Sequence, residues 1–371
     1  MKVTFVLPRL DMTGGNRVVS VYARMLRDAG HGVVVIVGGP HKHGIRQRLM
    51  NLIKGAPDLR EAAPPRSHFD GLGLDIRPMA FFRPATDRDL PDADVVIATW
   101  WETAEWVAAL SASKGQKVYL VQHHEVFDGL PIDRVRATYR LPMKKFVVAT
   151  WLRDLMRDEY GDDDVELMTN AFDPCQFHAT VRGKQVRPTL GLMSSSAEFK
   201  AVHVAVQAIH EVRQSVPDLK VVAFGHELIQ GLDSLGGDLE FHEHPSQERI
   251  RECYSRIDVW LTSSRSEGFN LPALEAMACR TPVVATRTGW PASAVLNGHN
   301  GFLAEVGDWH GLAEGVSRVL RSDTRTWAAL SEGAFQTARP LTWDQAYPKF
   351  EAALRRACNA DLPAVTQLAG A

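Results

Sequence analysis

Cysteine is scarce: 371 residues hold four, Cys175, Cys253, Cys279 and Cys358. None forms a C-x-x-C pair or stands at zinc-ligand spacing from a histidine, so neither a disulfide framework nor a structural zinc site is expected. Long apolar runs are missing too, and nothing approaches the ~18–20 residues that a spanning helix requires. Neither sign of charge dominates, with 42 Lys and Arg against 44 Asp and Glu and a net charge of −2. That balance gives no general electrostatic case for a nucleic-acid partner. The dinucleotide fingerprint G-x-G-x-x-G is absent, and no acidic residue closes the second strand where a ribose would need it, so NAD binding is not expected. No internal repeat is evident. Met1–Leu7 reads as a first strand rather than a signal peptide, and the expected location is the cytoplasm.

What is present is the composition of a globular α/β protein, 45% hydrophobic and 23% charged. The length suffices for two domains, each with its own core. Strand 2–7, a loop with Thr13-Gly14-Gly15, a helix over about 17–29 and strand 33–37 give β-loop-α-β order, the mark of a parallel, doubly wound sheet. Strands at 94–99, 117–122 and 143–149 and helices at 102–111 and 151–159 continue it. The pattern restarts with strand 189–193, helix 201–215, strand 220–224, helix 246–255 and strand 259–262. Between the halves, 181–188 is short, basic and ends in proline. Ligands of such sheets bind at the carboxyl ends of the strands. That singles out loops 8–16, 123–129, 194–200, 225–228 and 263–271.

Residues 265–289 carry the sharpest chemistry. Glu267 and Glu275 stand seven residues apart, on either side of a glycine, a proline and a helix start. Pro272 suits the first turn of a helix, where its missing N–H costs nothing. Leu274, Met277 and Ala278 have helical spacing, and Thr281-Pro282 is expected to stop the helix before a buried strand at 283–286. The backbone amides of Phe269, Asn270 and Leu271, after Gly268, then form an anion site at a helix N-terminus. Carboxylates repel a phosphate held there, so Glu267 and Glu275 are expected to bind hydroxyls on either side of it, a sugar and a ribose.

The run E-G-F-x-L-P-x-L-E-A-M-A, followed by T-P-V-V-A-T and N-G-H-N-G-F-L, resembles the retaining GT-B glycosyltransferases of family 4. The resemblance is strong over about 250–320 and weaker over the rest. It implies an α/β fold of GT-B type: two facing Rossmann-like doubly wound domains, with a C-terminal helix crossing back to the first. The expected boundaries are 1–168 for the acceptor domain, 169–340 for the donor domain and 341–371 for the returning helix and a frayed tail. The segment Leu167–Pro174 is similar to the family's N-G-V-D linker. The resemblance also implies transfer from a nucleotide-diphosphate sugar to a hydroxyl of a glycan, lipid-linked or small-molecule acceptor. No cofactor and no metal would be needed.

By this resemblance Glu275 holds the ribose, Glu267 the donor sugar, and Lys200 the β-phosphate of the leaving diphosphate. Gly15 lines the cleft, and His123 or His124, at a strand end, orients sugar or acceptor; His123 is the first choice. Gln122-His-His-Glu125 is also weakly similar to the Q-D-x-E segment of rhamnosyl-type members. One departure matters. The family sets an arginine five residues before the lysine and a glycine after it, whereas this chain has Ser195 and Ala201. The departure points to weaker phosphate clamping, to a cation supplied from elsewhere, for which Arg9 and Arg265 are candidates, or to a chain that binds a nucleotide sugar without turning it over. A nucleotide-sugar 2-epimerase on the same fold is a further rival.

Other clusters receive plainer readings. Asp92-Ala-Asp94 and Asp162-Asp-Asp164 are expected to be solvated turns, and His242 and His244 to belong to a strand end rather than a metal site. The basic stretches 41–54 and 134–145 could rest on anionic lipid, which would put the protein peripherally on the cytoplasmic membrane face.

Overall fold

The structure is a computed structural model and describes residues 1–40 and 66–359. Its contacts divide the chain into two units. The first takes Met1–Val148, Leu152–Met168 and the described residues from Tyr347 on; the second takes Ala149–Trp151 and Thr169–Ala346.

The first unit contains β1 (Lys2–Leu7), α1 (Gly14–Asp28), β2 (Gly32–Val37), β3 (Asp75–Pro78), β4 (Val95–Ala98), α2 (Trp101–Ala108), β5 (Gln116–Val121), α3 (Ile132–Thr138), β6 (Lys144–Val147), most of α4 (Thr150–Tyr160) and β7 (Val165–Leu167). Its seven strands, all parallel, run β3-β2-β1-β4-β5-β6-β7. Val3, Phe5 and Val6 of β1 and every residue of β4 are buried. Strands covered on both faces read as continuous apolar runs, which is why the sequence exposes them.

The second unit contains β8 (Thr189–Ser194), α5 (Val202–Ser215), β9 (Lys220–Gly225), β10 (Leu239–Glu243), α6 (Gln247–Ser255), β11 (Val259–Thr262), α7 (Leu271–Ala278), β12 (Val283–Thr286), α8 (Pro291–Ala294), β13 (Gly301–Ala304), α9 (Trp309–Arg321) and α10 (Thr324–Ala338). Its six parallel strands run β10-β9-β8-β11-β12-β13. Chain order therefore reverses between β8 and β11. At such a switch point the loops leaving two adjacent strands diverge and open a crevice for a ligand. The last helix, α11 (Trp343–Asn359), starts in the second unit and passes into the first at Tyr347.

The basic stretch 181–188 is a strap across the second unit. Arg182 donates to the Ile257 carbonyl and to Thr281 Oγ1 (3.1 Å), and Lys184 to the carbonyls of Leu320 and Ser322 at 2.6 and 2.7 Å. Asp258, fully buried, accepts the N–H groups of Gln185 and Thr189 at 2.8 and 2.9 Å. Burial pushes its carboxyl above the usual carboxylate range.

Two expectations need correcting. Gly14 and Gly15 are not a loop before the helix but its first turn, because Thr13 takes the N-cap position. Helix α7 does not run to Thr281-Pro282. It ends at Ala278, where Arg280 turns left-handed (φ 63°) and Thr281 N–H reaches back to the Ala276 carbonyl at 3.0 Å. That is a Schellman stop with arginine in the usual glycine position. Arg280 is held there by Glu332 at 2.5 Å and by the Phe335 ring at 4.1 Å.

Candidate functional site

The loops leaving β8 and β11 meet at the switch point of the second unit. Ser263 Oγ donates to the carbonyls of Lys200 and Ala201 at 3.2 and 2.9 Å, and Arg265 N–H to the Phe199 carbonyl at 2.7 Å. These bonds dock the 198–201 turn on the 263–265 loop and deliver Lys200 to Glu267. Lys200 Nζ lies 2.6 Å from Glu267 Oε1, which also accepts Ser264 Oγ at 2.6 Å. Glu267 is only 6% exposed, so its charge is desolvated and needs both partners. Ala201 is left-handed (φ 46°), a conformation that favours glycine. The family-type glycine there has a physical reason, and alanine accepts the strain.

Glu267 is followed by a backbone built for close approach. Trp151, which groups with this unit, donates Nε1–H to the Gly268 carbonyl at 2.9 Å. Asn270 is also left-handed (φ 82°) and caps α7, its side chain accepting Ala273 N–H at 3.2 Å and donating to Thr262 Oγ1 at 3.0 Å. Phe269, Asn270 and Leu271 thus present their amides ahead of the first intrahelical bond. Phe269 stacks on Trp290 with centroids 5.5 Å apart. Gly289 (φ 60°) makes this possible: a Cβ there would lie 2.7 Å from Glu267 Cβ and 2.8 Å from the Phe269 carbonyl oxygen. Lys200, Thr262, Ser263, Ser264, Asn270 and Pro272 line one hollow.

Glu275 lies one helical turn beyond, 4% exposed, and accepts the Tyr254 hydroxyl at 3.1 Å. Tyr254 comes from α6 and belongs to an aromatic cluster with Phe224 and Trp260. The structure thus gathers Lys200, Glu267, Gly268–Leu271 and Glu275 in one unit. It adds Ser264, Tyr254, Gly289 and Trp290, for which sequence reading had no signal, since nothing local marks a partner brought in from another element.

The candidate replacement cations behave differently. Arg265 is half exposed and reaches Glu198 at 3.5 Å, while Arg9 belongs to the first unit and pairs with Asp11 at 3.0 Å. Ser195 Oγ accepts Ala197 N–H at 3.3 Å and shapes its own turn.

In the first unit, Gly15 is packed against Gln122, whose Nε2 would lie 3.2 Å from an added Cβ. His123 Nδ1 contacts the His124 carbonyl at 2.9 Å, and His124 Nε2 the Tyr160 hydroxyl at 2.7 Å. Burial lowers the His124 pKa from its ordinary value. The next residue, Glu125, is 1% exposed and accepts Trp101 N–H at 2.8 Å and the Tyr119 hydroxyl at 3.3 Å. Burial raises its pKa well above the carboxylate range. The Tyr139 hydroxyl ties the same turn, accepting Glu125 N–H at 2.8 Å.

The remaining clusters are absorbed locally. Asp162 pairs with buried Lys145 at 2.5 Å, Asp164 with Lys144, and Asp92 with Lys114 at 2.8 Å. His242 pairs with Glu240 at 2.8 Å, and His244 meets His226 at 3.1 Å. In the basic stretch 134–145, Arg134 makes a two-pronged bond to Glu105 at 2.6 and 2.7 Å. Residues 41–54 lie outside the described residues. No helix among those described is long and apolar enough to cross a membrane.

Known proteins resemble this chain in sequence over part of its length and in fold. Residues 180–336 match the family described as glycosyl transferases group 1. D-inositol 3-phosphate glycosyltransferase of Corynebacterium urealyticum is 30% identical over 169 residues, 42% of this chain and 40% of that one. The Rhodococcus erythropolis enzyme of that name is 30% identical over 233 residues, 57% and 49% of the two chains. The matches thus span less than half of these relatives' lengths. Among solved structures, sucrose-phosphate synthase from Thermosynechococcus elongatus superposes with a TM-score of 0.75 at 16% identity, covering 97% of this chain and 100% of that one. Anabaena HepE in complex with UDP and glucose gives 0.71 at 16% identity, with 96% and 99% covered. The fold is GT-B.

Proposed function

We infer, from a chain whose residues 180–336 belong to the glycosyl transferases group 1 family, that the protein is a retaining glycosyltransferase using a nucleotide-diphosphate sugar. The observation that carries this reading is the buried Glu267–Lys200 pair beside the N-terminus of α7, with Glu275 one turn away. A diphosphate reaching Lys200 and the amides of Phe269–Leu271 competes with Glu267 for the ammonium. As Lys200 turns to the phosphate, Glu267 is released to accept hydroxyls of the donor sugar. Glu275, fixed by Tyr254, accepts the ribose hydroxyls. In the chemistry the family resemblance implies, the bond from the anomeric carbon to the phosphate oxygen breaks. The acceptor oxygen bonds on the same face, and its proton passes to the leaving phosphate. Lys200 and the amides stabilise the charge that develops there.

On this reading His123 or His124 orients sugar or acceptor, no metal takes part, and the acceptor is a hydroxyl of a glycan, a lipid-linked sugar or a small molecule. UDP is the first nucleotide to test, because HepE is similar in fold and was solved with it. The deciding experiment follows donor consumption with a panel of acceptors for wild type and Glu267→Ala, with and without EDTA. The proposal expects turnover that survives EDTA and is lost in the variant with the fold intact. Equal turnover in both proteins would refute it.

Ser195, where the family carries arginine, favours one second reading: a partner that binds a nucleotide sugar without transferring it. Calorimetry with UDP, GDP and dTDP, followed by donor turnover, separates the two. Tight binding without turnover across the acceptor panel supports the second.

A further inference from the structure

A cavity of about 370 Å³ lies on the face of the second unit's sheet that α6 covers, from the starting ends of β8 and β9 along β10 as far as His242, and beside the strap at 185–187. Lys200 and Glu267 sit on the loops at the carboxyl ends of β8 and β11, and neither lines this cavity. Its volume is that of a small-molecule site. The walls combine apolar groups (Val186, Val222, Cys253) with Arg187, Lys220, His242, Arg249, Arg256 and a single carboxylate, Glu240.

The lining holds more basic groups than carboxylates. Arg187 is taken by Asp218 and Asp238, and Arg249 by Glu252 at 2.6 Å. Glu240 then faces three basic groups at once: Lys220 Nζ at 2.5 Å, His242 Nε2 at 2.8 Å and Arg249 Nη2 at 3.9 Å. Arg256, the residue after α6, is exposed and acts on Glu252 through its field rather than through a close contact. With Arg249 taken by Glu252, Lys220 and His242 share the one carboxylate of the lining, and Arg256 adds a guanidinium. Guanidinium and ammonium groups around a partly apolar pocket are the donor set for carboxylate or phosphate oxygens.

We propose that this cavity is a second ligand site, taking a small organic anion whose carboxylate or phosphate is held by Lys220, His242 and Arg256 and whose apolar part rests on Val186 and Val222. The site does not depend on the activity proposed above. Val186 is fully exposed at the rim, so a charge placed there reaches the mouth without disturbing the core.

The test is calorimetry of the full chain with inorganic pyrophosphate, and separately with citrate, in a Lys200→Ala background that weakens anion binding at the other end of the sheet. The proposal expects binding that persists in Lys200→Ala. That binding should weaken about tenfold or more when Lys220→Gln and Arg256→Gln are added, and likewise with Val186→Glu alone, whose like charge repels the ligand. Loss with pyrophosphate alone assigns the site to phosphates, and loss with both probes to either anion. No binding in Lys200→Ala, or binding that Lys220→Gln/Arg256→Gln and Val186→Glu leave unchanged, overturns the proposal. Val186→Glu keeps it falsifiable should the double variant fail to fold.

Discussion

On the proposed function, the buried Tyr254 hydroxyl tunes how Glu275 meets a ligand. It gives the buried Glu275 carboxylate a hydrogen bond at 3.1 Å, and Tyr254→Phe removes that donor. The expected cost is about 1 kcal/mol of stability, together with roughly 3–10-fold weaker UDP binding by calorimetry. His124 gives a pH signature. Its folded-state pKa lies below the ordinary imidazole value, so the unfolded chain takes up the proton first as pH falls. His124 thus costs nothing at neutral pH and removes stability as pH drops through its ordinary value of about 6.5. In His124→Gln, the fall in Tm between about pH 7 and pH 5 should be shallower than in wild type. An equal slope would show that another group governs that limb.

At the scale of elements, the site depends on backbone conformations as much as on side chains. Gly289 must be left-handed for the 289–290 turn to carry Trp290 onto Phe269. Gly289→Ala combines positive-φ strain with a clash against Glu267 Cβ and the Phe269 carbonyl. A loss of about 1–3 kcal/mol is expected, together with donor binding, because the displaced atoms belong to the site. Thermal melts and UDP titration of that variant check both. Asn270 meets a similar demand differently, its side chain capping the helix and bonding Thr262, so its left-handed turn is locally compensated.

At the scale of the molecule, the last helix completes the core of the unit in which the chain began. Phe350 of α11 is fully buried, stacks on Tyr22 of α1 with centroids 3.9 Å apart and meets Phe146 at 5.8 Å. Phe350→Ala should cost about 3–5 kcal/mol. The first unit expressed without the residues from Tyr347 on should fail to give a cooperative melt, which calorimetry or circular dichroism would record. Cooperative unfolding of that fragment would contradict this account.

Local chemistry by itself determined the two wound halves and the motif around Glu267 and Glu275. Buried parallel strands are apolar throughout, and Pro272, the glycines and the two glutamates stand within a few residues of one another. Tertiary structure decided the partners. Lys200 meets Glu267 across 67 positions and Tyr254 meets Glu275 across 21, because the reversal of strand order between β8 and β11 and the packing of α6 bring them there. It also decided which charges are spent. Glu125 carries only a weak motif resemblance in the sequence, and burial beside Trp101, Tyr119 and Tyr139 is what pushes its carboxyl above the usual range. The basic strap at 181–188 could have been solvated, yet its cations clamp carbonyls, because the strand and helix ends of the second unit present those oxygens beneath it. Spacing along the chain fixes which groups are neighbours on one element. Desolvation and long-range pairing, which set their charge and reach, exist only once the sheets are assembled.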